Sequence, residues 1–218
     1  TQADVDRIYN YRNEARFLRA LSYYHALDIS GNVLIVKENC LNGTERICIA
    51  LNKYTEIFEH SRLIVNIQGD EPFINPEHID ISIQKMINNN INNIKCSTLH
   101  FKLKDENMLK DKSIGKLILD KYNCIIYCSR NIIPAMKNID YDLEKNNYYG
   151  HIGLFIFDIN YLRNEYMLEN TQLQLIEDIE WLKIIEQNYK IISSEVDNFE
   201  IGVNTINDYN YLKSKYGF

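Results

Sequence analysis

Fourteen residues constrain the fold of this chain more than any others: Leu63-Ile64-Val65-Asn66-Ile67-Gln68-Gly69-Asp70-Glu71-Pro72-Phe73-Ile74-Asn75-Pro76. Leu63 to Ile67 is a short apolar run rich in β-branched residues, the pattern of a buried strand. Gly69 permits a tight turn, and Pro72 ends any regular ladder. Asn75 followed by Pro76 reads as an N-cap with proline at the first helical position. A strand, a turn carrying two consecutive carboxylates, and a helix make one unit of an α/β sheet. In such sheets ligands gather at the carboxyl ends of the strands. Asp70 and Glu71 stand at that place, where a carboxylate can hold Mg²⁺ against a substrate phosphate.

The 218 residues suffice for one domain with a full core, and 1–218 is read as a single domain. With 8 glycines and 3 prolines in the whole chain, each one that remains points to special backbone geometry. A net charge of −6 argues against a broad nucleic-acid or anionic-membrane surface, so a phosphate ligand should arrive with a cation. Five cysteines (Cys40, Cys48, Cys96, Cys124, Cys128) with no C-x-x-C pair read as free thiols in a reducing compartment. The expected location is cytoplasmic, although a chain that opens on Thr1 leaves a targeting segment open. No segment is apolar enough to span a membrane.

Along the chain, residues 1–30 read as helix, Asn32 to Val36 as a strand, and the stretch through Ile47, Leu51 and Tyr54 as a helix that follows a polar turn at Cys40 to Arg46. Ile79, Ile83, Met86 and Ile87 form a helical stripe. Ile94 to Leu99 is a strand, and residues 102–113 a loop or short exposed helix. Lys116 to Asp120 and Cys124 to Cys128 form a strand pair, and His151 to Phe157 is a long strand apolar on both faces. Residues 173–187 give an amphipathic helix: Leu175, Ile176, Ile179, Leu182 and Ile185 on one side, Glu177, Glu180 and Lys183 together on another, which from spacing alone reads as a solvated salt-bridge face. Thr205 with Asp208 reads as a capping box opening a last helix.

Gln-Gly-Asp-Glu-Pro after an apolar strand, at residues 68–72, resembles the signature of the CMP-Kdo synthetases, which activate the sugar acid 3-deoxy-manno-octulosonate (Kdo) with CTP. Other words follow in order. Gly43-Thr44-Glu45-Arg46 is similar to the family's Ser-Gly-Thr-Asp/Glu-Arg turn, with Asn42 in place of Ser and Cys40-Leu41 in place of His-Gln. Lys116 matches within its Val-Lys-Val-Val segment, from which Gly115 and Ser113 depart. Ser129-Arg130-Asn131-Ile132-Ile133-Pro134 resembles Ser-Arg-x-x-Ile-Pro, and His151-Ile152-Gly153 resembles His-Ile-Gly. Glu177 and Glu180 match Glu-x-Leu-Glu-Gln-Leu-Arg, while Trp181 stands for Gln and Lys183 for Arg. Gly202-Val203-Asn204-Thr205 is similar to Gly-Val-Asp-Thr.

The resemblance implies a three-layer αβα nucleotide-diphospho-sugar-transferase-like (Rossmann-like) fold with a mixed sheet. It implies transfer of CMP from CTP to Kdo, a nucleotide-sugar step of lipopolysaccharide biosynthesis, with pyrophosphate as the second product, Mg²⁺ as cofactor and a homodimer as the assembly. Gly43, Thr44, Arg46 and Gln68 would bind the nucleotide. Gln68, Arg130, His151, Glu177 and Glu180 would bind the sugar acid, and Asp70 and Arg130 would serve catalysis. The metal would lie on Asp70 and Asn204, the latter an amide where the family has its second carboxylate. A sialic-acid cytidylyltransferase and a non-catalytic binding or dimerising scaffold are the alternatives. The family's opening basic loop, Ile-Pro-Ala-Arg…Ser…Arg-Leu-Pro-Gly-Lys, has no counterpart in these residues, which predicts slow turnover of CTP by residues 1–218 alone.

Overall fold

The computed structural model describes residues 34–139, 141–197, 202–203 and 205–217. The helix expected over residues 1–30 lies outside them, as do Asn32 and Val33 of the expected first strand. Residues 34–36 carry no regular secondary structure. The chain divides into two compact units, Thr1–Asn39 and Cys40–Phe218, and the second is described below.

Its elements are α1 (Gly43–Lys53), a 3₁₀ turn (Thr55–Phe58), β1 (Leu63–Ile67), α2 (Pro76–Asn88), β2 (Ile94–Lys102), α3 (Glu106–Lys110), β3 (Lys116–Leu119), β4 (Ile125–Ser129), β5 (Tyr149–Asp158), α4 (Ile159–Asn164), α5 (Gln172–Glu177), α6 (Leu182–Glu186), β6 (Lys190–Glu195) and α7 (Ile206–Tyr216). The caps follow local chemistry. Asn75 accepts from the Glu77 amide at 3.0 Å with Pro76 opening α2. Thr205 and Asp208 close a reciprocal capping box on α7. Asn42 caps α1 by accepting from the Glu45 amide at 2.9 Å.

The six strands form one mixed sheet in the order β4-β3-β5-β2-β6, with β1 also on β5. The long strand β5 organises it. Along one edge β2 runs antiparallel to it, from Lys102↔Tyr149 to Cys96↔Phe157, and β6 lies parallel to β2 beyond. The other edge is shared by two short strands. Antiparallel β1 covers Leu154 to Asp158, and antiparallel β3 covers only Tyr149 and Gly150. The carboxyl end of β1 therefore faces the beginning of β3 across a break in the ladder at residues 151–153. That break positions the site described next.

Both faces of β5 are covered, as its unbroken apolar run requires. Phe155 and Phe157 pack on one face with Cys48 and Leu51 of α1, Tyr161 and Leu162 of α4, and Trp181, Leu182 and Ile184. Ile152, Leu154 and Ile156 pack on the other with Leu99 and Phe101 of β2, Leu109 of α3, and the inner stripe Ile79, Ile83 and Met86 of α2. Each such side chain contributes roughly 1.5–3 kcal/mol. The apolarity of β5 thus belongs to the core of one chain and offers no surface of its own to a partner. The five cysteines are free thiols. Among the described residues no helix is long and apolar enough to cross a membrane.

The expected helix over residues 173–187 is two short helices. Asp178 takes a left-handed conformation (φ 53°) that ends α5, and α6 starts after Trp181. Leu175 and Ile176 are more than half exposed, whereas Ile179 and Leu182 are buried. Lys183 is not on a solvated face either. It is 1% exposed, and its ammonium donates to the Tyr166 carbonyl and to Asn170 Oδ1, both at 3.1 Å.

Candidate active site

Where β1 ends, the chain leaves the ladder and turns. The Gln68 amide still donates to the Gly153 carbonyl at 3.0 Å, and the Glu71 amide donates back to the Gln68 carbonyl at 3.0 Å. Glu71 Oε1 then accepts from the Gly153 amide at 3.1 Å. Burial pushes the Glu71 carboxyl up to about 7. A Cβ on Gly153 would come within 2.8 Å of Gln68 Oε1 and 2.9 Å of Glu71 Oε1, and one on Gly202 within 3.2 Å of the Asp70 carbonyl. That carbonyl accepts from the Val203 amide at 2.7 Å. The turn carrying Gln68 and Asp70 is thus held between β5 and the 202–203 segment. Gly69 itself adopts no positive φ and has open space around it; the glycines that matter to this turn are its neighbours in space.

Beside the turn stands the start of α1. Thr44, fully buried, donates its amide to Glu180 Oε2 at 3.1 Å, and its hydroxyl accepts from Asn66 Nδ2 at 3.4 Å. Gln68 Nε2 donates to Glu180 Oε1 at 3.4 Å. One carboxylate therefore joins the Gly43-Thr44 turn to Gln68. Because Glu180 can only accept, it fixes the Gln68 amide with Oε1 directed away from it. Arg46 lies one turn further along α1 and is exposed.

On the other side of the break is the corner that follows β4. Glu177 accepts from Tyr127 Oη at 3.0 Å, Ser129 Oγ at 2.8 Å and the Arg130 amide at 3.1 Å; these bonds hold its carboxyl below the usual range despite the opposing effect of burial. The Arg130 guanidinium donates to the carbonyls of Lys112, Ser113, Glu177 and Asp178 at 2.8–3.3 Å. Four contacts leave one of its five N–H groups, and Nη2 lies 4.0 Å from the exposed Asp178 carboxylate. Lys116 is fully buried and donates to the carbonyls of Asp111, Ile114 and Arg130.

His151 lies in the break itself. Its ring meets the Trp181 indole edge-on at 5.7 Å, and it lies so close over Gly115 that a Cβ there would be 2.6 Å from His151 Cδ2. Burial, and then the Arg130 charge, lower its pKa to about 4, so it is a neutral imidazole near pH 7. Its Nδ1 is buried without a hydrogen-bond partner, an atom in search of a ligand.

A family model for cytidylyltransferases matches residues 24–193. The chain is 37% identical over 188 residues to the 3-deoxy-manno-octulosonate cytidylyltransferase of Protochlamydia amoebophila, covering 85% of this chain and 70% of that protein. The chain belongs to the CMP-Kdo synthetase family of cytidylyltransferases. It is also 36% identical over 185 residues to the mitochondrial 3-deoxy-manno-octulosonate cytidylyltransferase of Arabidopsis thaliana, covering 84% of this chain and 61% of that one. A CMP:2-keto-3-deoxy-manno-octonic acid synthetase solved in complex with CTP superposes with a TM-score of 0.74 at 22% identity, over 88% of this chain and 75% of the other; that likeness speaks to the fold.

In this cytidylyltransferase, then, Gly43, Thr44, Gln68 and Glu180 form one group, Arg130 and Glu177 a second, and His151 lies in the ladder break, with the Glu177–Trp181 segment running from the second group to the first. Glu177 and Glu180 do not share an outer helix face: both carboxylates reach inward to protein donors. Asp70 stands half-buried on the turn, and Asn204 lies outside the described residues. Among those residues no three His, Cys, Asp or Glu side chains gather as a metal cluster. Reasoning from sequence missed the buried bonds of Glu71 and Lys116. For Glu71 a signal existed in the scarcity of glycine, since Gly153 and Gly202 both survive against it.

Proposed function

We propose that this protein transfers the CMP group of CTP to the anomeric hydroxyl of Kdo and releases pyrophosphate. The observation that carries the reading is the ladder break on β5. It sets a turn with a free-standing carboxylate, Asp70, between a nucleotide-side group and an Arg-His side suited to a sugar acid. Family membership and the CTP held by the superposed synthetase support the same reading.

The hydroxyl oxygen of the sugar attacks the α-phosphorus as the bond to the pyrophosphate oxygen breaks. Gly43 and Thr44 at the start of α1 and the oriented Gln68 amide hold the nucleotide, with Arg46 further along that helix. The remaining Arg130 N–H meets the sugar acid's carboxylate, an interaction strengthened by charge. The unpartnered His151 Nδ1, on a neutral ring, hydrogen-bonds a sugar hydroxyl and orients it. Glu177 and Glu180 act at one remove, by holding the Arg130 corner and Gln68. Asp70 suits Mg²⁺, since that ion takes one or two carboxylates plus substrate phosphates, and Glu71 is withdrawn to Gly153. When bound there, Mg²⁺ would neutralise charge on the phosphates.

Mass spectrometry of the product from CTP with Kdo or with sialic acid tests the reading. CMP-Kdo should form and CMP-sialic acid should not; sialic-acid product alone would assign the protein to the other branch. For the assembly we propose a homodimer, supported by exposed apolar side chains at Met167, Leu168, Leu175 and Ile176. A monomer by sedimentation at micromolar concentration would refute it.

A further inference from the structure

We infer that Glu71 is a positioning residue for the transfer reaction, its carboxylate taking the place of a missing strand partner so that the Gln68–Asp70 turn is locked to the middle of β5. The inference rests on the functional reading above and deepens it, because neither nucleotide, sugar nor metal role falls to Glu71.

The ladder sets the problem. β1 pairs with β5 only as far as Ile67↔Leu154, and β3 takes it up only at Lys116↔Gly150. Between them the Gly153 amide faces the break with no strand to accept from it. A buried, unpaired N–H is costly. Extending β1 would satisfy it, but side chains along a strand alternate between the two faces of the sheet, and Gln68 and Asp70 could not then stand at a strand end. Glu71 resolves the conflict. The backbone turns at Gln68, closed by the Glu71 amide on the Gln68 carbonyl, and the Glu71 side chain returns to the strand and accepts from Gly153.

The fit around that carboxylate is close on two sides. A Cβ on Gly153 would be 2.9 Å from both Cγ and Oε1 of Glu71, and one on Gly202 would be 3.3 Å from Oε1. A Cβ on Gly153 would therefore push the Glu71 side chain aside, and one on Gly202 would crowd it. The same Gly202 abuts the Asp70 carbonyl, and Val203 bonds to it. Glu71 therefore sits at the junction of three segments whose alignment sets the direction of the Asp70 carboxylate.

Two variants separate this role from alternatives. Glu71→Gln keeps the reach and an acceptor oxygen for Gly153, whereas Glu71→Leu keeps the bulk and removes the acceptor. Glu71→Gln should retain transfer activity within about threefold, and Glu71→Leu should lose about a hundredfold in kcat/KM for CTP, the usual result of misplacing a reacting group by an ångström. Amide exchange, which needs no substrate, should rise at least about tenfold at Gly153 in Glu71→Leu and stay near wild type in Glu71→Gln, because the bond controls a local opening. With an active wild type, equal losses in both variants would mean that the charge matters and not the acceptor, and no loss in Glu71→Leu would mean that the strut is idle; either overturns the inference and leaves the functional reading standing. A wild type that forms no CMP-Kdo overturns the functional reading itself, and the role in transfer falls with it.

Discussion

Replacing Lys116 with methionine tests how this site is built without touching a substrate contact. The Lys116 side chain is fully buried, and its ammonium is the donor for three carbonyls, those of Asp111, Ile114 and Arg130. Burial alone disfavours the charge and lowers its pKa, so the three bonds are what hold a cation there. Methionine fills nearly the same volume and donates nothing. Each carbonyl left without a donor in a buried setting costs about 1–3 kcal/mol. Against this stand the relief of ammonium desolvation and the entry of water at the loop carbonyls of Asp111 and Arg130, so the net loss should be about 3 kcal/mol, near the lower end for a broken buried charge network. With a urea dependence of about 2 kcal/mol per molar, typical for a domain this size, the midpoint should fall by about 1.5 M. Because the Arg130 carbonyl is one of the three, the KM for Kdo should rise as well. A midpoint shift below about 0.3 M would show that the carbonyls find other donors and that Lys116 does not organise the corner.

Gly115→Ala would bring a Cβ within 2.6 Å of His151 Cδ2 and 2.8 Å of Cys128 Sγ; the overpacking should cost about 1–3 kcal/mol, read as a lower thermal midpoint, and should weaken Kdo binding through the displaced imidazole. Arg130→Lys, which loses the planar fork, should raise KM for Kdo about tenfold while leaving KM for CTP within about twofold. Stability should fall on acidification. His100 and His151 both titrate near 4 in the fold against 6.5 unfolded, so between those values the unfolded chain binds the extra protons. Glu71, raised to about 7 from 4.5, acts with the opposite sign. Two histidines against one glutamate leave a net of one proton between pH 4.5 and 6.5, and His78, also lowered by burial, adds to it, so about 1.4 kcal/mol or more should be lost per pH unit of acidification; urea midpoints across that range check it, and His100→Asn should reduce the slope.

Much of the architecture was legible because it rests on local chemistry. The strand Leu63–Ile67, the cap Asn75-Pro76, the two-faced apolar strand at 151–157 and the capping box at Thr205 each follow from the residues present, and the structure has all four elements; the burial expected of Leu63–Ile67 is not met, because β1 pairs with β5 alone and leaves Val65 and Ile67 exposed. The site was legible in its words and less so in its bonds. Periodicity put Glu177, Glu180 and Lys183 on one solvated face because spacing is all that a helical pattern records. Three-dimensional donors decide otherwise: Tyr127, Ser129 and Arg130 claim Glu177, and Thr44 and Gln68 claim Glu180. Asp178 turns left-handed between them, which a count of apolar positions does not register. Lys116 and Lys183 are buried because protein oxygens accept from their ammonium groups, those of Asp111, Ile114 and Arg130 for the first and of Tyr166 and Asn170 for the second, and neither set follows a helical or strand period. Arg130 stood out within its word, but the brace that four carbonyls make of it did not.

Steady-state pyrophosphate release by the full-length protein, measured for wild type and Asp70→Asn with CTP, Kdo and Mg²⁺ supplied singly and together, tests the central claim most directly. Cytidylyl transfer at the ladder break predicts release only when CTP and Kdo are both present, and a loss of about a hundred- to a thousandfold in Asp70→Asn, as for removal of one well-placed charge-stabilising group, with the thermal midpoint unchanged. Release that does not need Kdo, or that survives undiminished in Asp70→Asn, would contradict it.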